Sequence, residues 1–192
     1  MTELARVLFA REDIHRRVDE LGRTITGDYV GREPVLISVL KGGTVFLADL
    51  MRQIQLPLET HLMAISPYGG GEGSMGRVRI LLDVEIDLSG RDVLLVEDIV
   101  DTGLTLAYLL SILRSRRPAT LEICTLLDRS IRRIAPLNPR YVGFDCPDRF
   151  VVGYGLDFEQ RYRNIADILE ITDTDALKAD PDVLLPHLAV AG

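Results

Sequence analysis

The sequence predicts an α/β fold, a mostly parallel twisted sheet flanked by helices. Two observations carry that expectation. Apolar runs of strand length alternate with stretches of helical periodicity along most of the chain, the order produced when parallel strands are joined by crossover helices. The apolar runs are also continuous, as in Val35-Leu36-Ile37-Ser38-Val39-Leu40 and Val93-Leu94-Leu95-Val96. A strand with one wet face would alternate, whereas a continuous run marks a strand covered on both faces.

The elements follow in order. Residues from about 11 to 29 place Ile14, Val18, Leu21 and Ile25 on one helical stripe. The run behind Pro34 is a buried strand, and Lys41-Gly42-Gly43 leads into a second helical pattern through Phe46, Leu47, Leu50, Met51 and Ile54. Thr60–Ser66 is the next strand candidate. Pro67–Gly76 is rich in glycine and poor in apolar residues, which predicts a mobile loop, and Val78–Leu82 is strand-like beyond it. Asp92–Asp98 reads as strand, and a helix from about Gly103 to Ser115 has an apolar side of Leu106, Leu109, Leu110 and Leu113. Thr120–Leu127, Arg140–Phe144 and Phe150–Gly153 complete the strands. No internal repeat or linker divides the chain, so residues 1–192 read as one domain. From about Thr172 the chain turns polar and then apolar again at Val183-Leu184-Leu185, so that 172–192 form an appendage to which the sequence assigns no role.

Composition excludes several classes. Hydrophobic residues make up 47% and charged residues 27%, a globular balance rather than a disordered or fibrous one. The net charge of −7 argues against nucleic acid as a partner, since such binding needs a basic surface to displace counterions. A polyanion can still be held where cations, backbone amides and a metal are focused at one point. Cys124 and Cys146 form no disulfide framework, and Cys124 lies in the apolar run Leu121–Leu127, which makes it a core residue. His15, His61 and His187 are scattered, and cysteine metal spacing is absent. The N-terminus has no secretory apolar region and the longest apolar runs are of strand length, so the expected location is the cytoplasm, with no membrane partner.

The chemistry is concentrated in Glu97-Asp98-Ile99-Val100-Asp101-Thr102-Gly103-Leu104-Thr105. Ligands of open parallel sheets bind beyond the carboxyl ends of the strands, and here a buried strand ends in two carboxylates. The loop behind them supplies Asp101, threonine hydroxyls and a glycine before a helix starts, which makes an anion cradle. Adjacent carboxylates beside such a cradle suit sugar hydroxyls or a metal. Alone, Asp101-Thr102-Gly103 reads as a helix cap, but capping does not account for Glu97 and Asp98.

The stretch Glu97 to Gly103 resembles the phosphoribosyl pyrophosphate motif of type I phosphoribosyltransferases in its hypoxanthine-guanine form. The resemblance extends to Leu40-Lys41-Gly42-Gly43, Tyr141-Val142-Gly143-Phe144 and Phe150-Val151-Val152-Gly153-Tyr154-Gly155-Leu156-Asp157, and covers about residues 10–170 in the expected order. It implies the type I fold, with a small hood and a flexible lid loop, and transfer of phosphoribosyl to a 6-oxopurine base in purine salvage. It implies magnesium as cofactor, phosphoribosyl pyrophosphate and a purine base as small-molecule partners, and a homodimer or homotetramer.

By the same resemblance, Glu97 and Asp98 bind the ribose hydroxyls, directly or through magnesium. Asp101, Thr102, Gly103, Leu104 and Thr105 wrap the 5-phosphate, and Asp101 sits near N7 of the purine as general acid or base. Lys41, Gly42 and Gly43 approach the pyrophosphate around a cis Leu40–Lys41 peptide bond. Phe150 stacks on the purine, Val151 reads its edge through the backbone, and Asp157, beside the purine site, helps hold magnesium on the pyrophosphate. Arg163 contacts pyrophosphate oxygens. Taken singly, Lys41-Gly42-Gly43 is an ordinary turn, Phe150 a core aromatic and Arg163 a solvated charge. The Gly69–Gly76 loop is the lid, useful because an oxocarbenium-like state also reacts with water. Its Gly71-Glu72-Gly73-Ser74-Met75-Gly76 matches the dinucleotide fingerprint in form only, since a strand rather than a helix follows.

Two positions depart from the family pattern. The lid opens with Pro67-Tyr68 where the family has serine-tyrosine, and proline has no N–H to give to pyrophosphate; Tyr68 is retained as a contact. Arg129 stands where the family has a lysine donating to the purine 6-oxo group, and its planar fork is larger and differently shaped. It could read a 6-oxo group, favour a base with a second acceptor such as xanthine, or weaken base selection. A modified purine as acceptor, or a non-catalytic nucleotide sensor on the same fold, are the alternatives.

Overall fold

The computed structural model describes residues 4–67 and 78–188. In chain order the elements are β1 (Ala5–Phe9), α1 (Arg11–Asp28), β2 (Val35–Val39), α2 (Gly43–Gln53), β3 (Glu59–Pro67), β4 (Val78–Leu82), β5 (Asp92–Val100), α3 (Leu104–Ser115), β6 (Thr120–Asp128), β7 (Tyr141–Asp145), β8 (Phe150–Val152), β9 (Ile168–Ile171) and α4 (Thr174–Ala179). Short 3₁₀ turns cover Ser130–Arg132 and Pro181–Leu188.

The main sheet runs β4-β3-β2-β5-β6-β7. Its pairings are parallel except at the β4 edge, which is antiparallel to β3. The strand alternation divides the core. Leu36, Leu94, Val96, Cys124 and Leu126 face α1 and α2, where they meet Ile14, Val18, Leu21, Ile25, Phe46, Leu47 and Leu50. Val35, Ile37, Val39, Val93, Leu95 and Ile123 face α3, against Leu106, Leu109, Leu110 and Leu113. Both faces are therefore dry, as the continuous apolar runs require. At the β7 edge the Arg17 side chain donates to the carbonyls of Val142 and Gly143 at 2.8 and 2.9 Å, which ties α1 to that strand.

The chain winds outward in both directions from the centre. From β2 it crosses through α2 to β3 on one side, and from β5 through α3 to β6 on the other. The β2–β5 junction is thus the switch point where an open sheet leaves a crevice.

Above it lies a second sheet, β1-β9-β8, wholly antiparallel. Val152, Phe158, Tyr162, Ile165, Leu169 and Ile171 form its core, and a stack of Phe9 on Phe144, 4.3 Å between ring centroids, ties it to β7. This is the small hood.

Several expectations are corrected. The strand expected over Asp92–Asp98 runs on to Val100, because Ile99 and Val100 keep their pairing with Leu127 and Asp128 of β6. Ile99 and Val100 therefore join Glu97 and Asp98 in the strand, and Asp101 is the first residue past it. The Arg140–Phe144 strand is displaced by one residue, since the register with β6 begins at Tyr141 opposite Cys124. Cys124 is fully buried, as expected. The appendage after Thr172 holds α4 and the Pro181–Leu188 turn, with Leu177 and Leu184 completely buried. Tyr68 and the Gly69–Gly76 loop lie outside the described residues. No helix among the described residues is long and apolar enough to cross a membrane.

Candidate active site

Three backbone segments meet at the switch point. The first is the turn after β2, where the Leu40–Lys41 peptide bond is cis. The second is the end of β5 with its loop into α3. The third runs from Gly153 to Arg163 below the hood. The approach is close: a Cβ on Gly42 would stand 1.7 Å from Asp98 Oδ2, and one on Gly155 would stand 2.3 Å from the Gly42 carbonyl oxygen. At Gly155 the neighbour is backbone, so only glycine lets the two chains touch, whereas at Gly42 it is the Asp98 carboxylate.

Side chains close the junction. Lys41 Nζ donates to Gln160 Oε1 at 3.0 Å. Arg163 donates to the Gly155 carbonyl at 2.7 Å and pairs with Asp157 Oδ1 at 2.7 Å, while Asp157 Oδ2 accepts the Gln160 amide at 2.9 Å. The expected pyrophosphate residues Lys41, Gly42, Gly43 and Arg163 and the expected metal-site residue Asp157 are thus one cluster, joined by Gln160. Arg163 Nε is buried with no hydrogen-bond partner among the described residues.

Glu97 and Asp98 form the acidic wall. Desolvation pushes the Glu97 carboxyl well above its ordinary range, and the neighbouring Asp98 charge adds to this. Burial also raises Asp98; the Ile99 amide, 2.8 Å from its Oδ1, and the Arg163 charge pull it down, and Asp157 pushes it up. Both carboxyls are desolvated, and as successive residues of β5 they leave opposite faces of the strand, Glu97 toward the cavity before α3 and Asp98 toward Gly42.

Past them, a cavity of about 190 Å³ is lined by Glu97, Val100, Asp101, Thr102, Gly103 and Thr105 over a floor that includes Val39 and Leu106. Gly103 occupies the N-cap position of α3 with φ 77°, and no side chain among the described residues caps that helix. Its first amides are left for a ligand, the arrangement that receives a phosphate. The capping role open to Asp101 or Thr102 is therefore not used.

Asp101 faces cations instead. Its Oδ2 lies 3.4 Å from Arg129 Nη1 and 3.4 Å from Arg132 Nη1, and Oδ1 is buried with no hydrogen-bond partner among the described residues. Arg129 is itself buried. Its Nη2 donates to the Arg149 carbonyl at 2.6 Å, and its backbone amide donates to the Val100 carbonyl at 2.9 Å. Arg129 Nε has no hydrogen-bond partner among the described residues. This one guanidinium links the β5 loop to the segment that enters β8.

On β8, Phe150 is 39% exposed, its ring edge-on to Phe158 at 6.1 Å, so it is not the core aromatic its composition would suggest. Val151 is buried and pairs with Glu170 across the hood. Glu170, buried, accepts two hydrogen bonds from Arg6 at 2.9 and 3.0 Å and pairs with Arg149 at 3.2 Å.

Sequence reasoning missed Arg132, Gln160 and Glu170. Arg132 lies three residues after Arg129, a spacing that aligns side chains on one 3₁₀ turn, and Gln160 lies three after Asp157, within reach of an Asx-type turn. Those two were findable. Glu170 gave no signal beyond a charge in a short apolar run.

Comparison with known proteins fits this geometry. A family model for the phosphoribosyl transferase domain matches residues 8–159. The chain is 42% identical over 163 residues to the hypoxanthine-guanine phosphoribosyltransferase of Streptococcus thermophilus, covering 85% of this chain and 91% of that protein. It is 48% identical over 170 residues to the protein of the same name from Mycobacterium avium, covering 85% and 84%. Among solved structures, a hypoxanthine-guanine phosphoribosyltransferase from Bacillus anthracis with a HEPES molecule in its active site gives a TM-score of 0.84 at 40% identity, covering 88% of this chain and all of that one.

Proposed function

The chain belongs to the phosphoribosyltransferase family, and on that premise we propose that it is a purine-salvage enzyme of the hypoxanthine-guanine type. It transfers phosphoribosyl from phosphoribosyl pyrophosphate to a 6-oxopurine: the bond from the anomeric carbon to the pyrophosphate oxygen breaks, a bond from that carbon to N9 of the base forms, and pyrophosphate leaves. The observation that carries this reading is the meeting of Gly42, Asp98 and Gly155, which puts a carboxylate wall, a cationic cluster and a helix N-terminus around one crevice.

Each part has a task. The α3 amides with Thr102 and Thr105 receive the 5-phosphate, and Glu97 and Asp98 accept from the ribose hydroxyls. Lys41 and Arg163 neutralise charge that grows on the departing pyrophosphate. Asp101 takes or returns the proton at N7, with Arg129 and Arg132 holding its other oxygen. Phe150 covers one face of the base, and the Val151 backbone reads its edge.

Magnesium fits this donor set. Among the described residues no closed group of three or more ligands exists, but magnesium takes one or two carboxylates and completes its shell with water and substrate phosphate. Glu97, Asp98 and Asp157 are the carboxylates that would supply them, Asp157 keeping lone pairs beyond those given to Arg163 and Gln160. When bound, the ion stabilises negative charge on the leaving group.

The structure favours one refinement. Arg129 has a buried Nε without a partner among the described residues, which suits a base with an additional acceptor, so xanthine stands beside hypoxanthine and guanine as a candidate. Location in the cytoplasm and assembly as a homodimer or homotetramer complete the reading and rest on family resemblance; sedimentation of the purified protein measures the assembly.

Pyrophosphate release tests the function. The protein is incubated with phosphoribosyl pyrophosphate, with and without magnesium, across hypoxanthine, guanine, xanthine and adenine. Turnover on a 6-oxopurine that stops on chelation supports it. Silence on all four bases, with phosphoribosyl pyrophosphate still bound, would overturn it in favour of a sensor or an unusual acceptor.

A further inference from the structure

We propose that the C-terminal segment 172–188 is a brace that positions the loop 157–163 on the pyrophosphate side of the site, a role that rests on the functional reading above. The family match ends at residue 159, so this segment lies beyond it.

The loop needs outside support. Glu159, Gln160 and Tyr162 have φ of 51°, 68° and 71°, a left-handed conformation that side-chain-bearing residues hold only where surroundings impose it. Inside the loop, Phe158 and Arg161 exchange backbone hydrogen bonds at 3.1 and 2.9 Å. Those two bonds fix the loop's width without fixing its tilt against the crevice.

The residues of the loop divide by direction. Asp157, Gln160 and Arg163 turn toward the crevice and join Lys41 and Gly155. Phe158, Arg161 and Tyr162 turn toward the C-terminal segment. The Tyr162 hydroxyl donates to the Pro181 carbonyl, and Arg161 pairs with Asp182. Phe158, Tyr162 and Ile165 share one apolar cluster with Leu177 and Leu184, both completely buried.

The brace is itself anchored. Thr172 donates its amide to the Leu4 carbonyl at 2.9 Å, and Asp173 Oδ1 caps α4 by accepting from the amides of Asp175 and Ala176 at 3.1 and 2.9 Å. A shift of Leu184 or Pro181 is therefore passed to Tyr162, next in sequence to Arg163. Small misplacements of charged groups around a leaving group lower affinity and rate well out of proportion to their size.

The test uses full-length variants: Leu184→Ala, Tyr162→Phe, Asp182→Arg, and Asp182→Arg combined with Arg161→Asp. Steady-state kinetics and amide hydrogen exchange are measured on each. The brace predicts that KM for phosphoribosyl pyrophosphate rises about fivefold in Leu184→Ala and about two- to threefold in Tyr162→Phe and Asp182→Arg, through lost preorganisation. KM for the base should stay within about twofold in all of them, amides of 157–163 should exchange faster, and the charge-swapped pair should return toward wild type. A merely structural segment would lower kcat through the active fraction and leave both KM values unchanged, and that result would overturn the proposal. Should Leu184→Ala not fold, Tyr162→Phe and the swap decide on the same criteria. Wild type without turnover on any base, with exchange at 157–163 still quickened in the variants, would sink the functional reading and uphold the brace.

Discussion

Gly42 lies so close to Asp98 that a single added methyl group would stand 1.7 Å from the carboxylate oxygen Oδ2. The obstructing atom is the tip of a side chain rather than backbone, so the protein can relieve the clash by turning Asp98 away. Gly42→Ala should fold with a nearly unchanged melting temperature and lose about 100-fold in kcat/KM, because the displaced group is the one aimed at substrate. Calorimetry paired with steady-state kinetics separates the two effects.

Asp101 carries the proton transfer in the proposed reaction. Asp101→Ala removes the carboxylate that faces both Arg129 and Arg132. We expect kcat to fall about 100- to 10,000-fold, the usual range for a general acid or base, with phosphoribosyl pyrophosphate still bound. Near-normal turnover by this variant would reassign the role.

Arg129 tests charge against shape. Arg129→Met strips the Arg149 carbonyl of its donor and Asp101 of one cation, and should cost about 1–3 kcal/mol of stability along with most of the activity. Arg129→Lys keeps the charge but cannot span Asp101 and Arg149 together. It should retain activity on hypoxanthine within about tenfold and lose any advantage the wild type shows for xanthine. Urea unfolding and a comparison of the two bases check both statements.

Glu170 should matter for stability more than for chemistry. It is buried, and Arg6 and Arg149 both depend on it. Glu170→Ala leaves two guanidinium groups without their acceptor, but both are over half exposed and regain water. A loss of about 1–3 kcal/mol is expected, read as a lowered urea midpoint, and KM for the base should rise because Arg149 precedes Phe150.

The main sheet was legible because its signals are contiguous. Val93 to Val96 are four buried residues in a row, and the carboxylates that follow sit where strand order reverses. The α1 stripe was equally clear, since Ile14, Val18, Leu21 and Ile25 all reach the core. The hood was not. Its strands Ala5–Phe9 and Ile168–Ile171 are short, carry Arg6 and Glu170 within them, and find each other only across almost the whole chain. Nothing local distinguishes such a strand from a loop. The site divides in the same way. Lys41, Asp98, Asp101 and Arg163 could be named from the family resemblance, but it does not reveal that Gln160 joins Lys41 to Arg163 or that the Arg149 carbonyl holds the arginine facing Asp101. The strand that the sequence ends at Asp98 continues to Val100 because Ile99 and Val100 pair with Leu127 and Asp128 of β6, a register set by a distant strand.

The pairing of Arg6 with Glu170 joins positions 164 residues apart. During synthesis at roughly 5–20 residues per second, β1 would leave the ribosome about ten to thirty seconds before its partner exists. The strands β2 to β7 can associate in that interval, so the newborn chain acquires the floor that receives sugar and phosphate before the roof that receives the base. Until β9 emerges, Val7, Leu8 and Phe9 have no strand to lie beside, and this early segment is the one a chaperone would have to shelter.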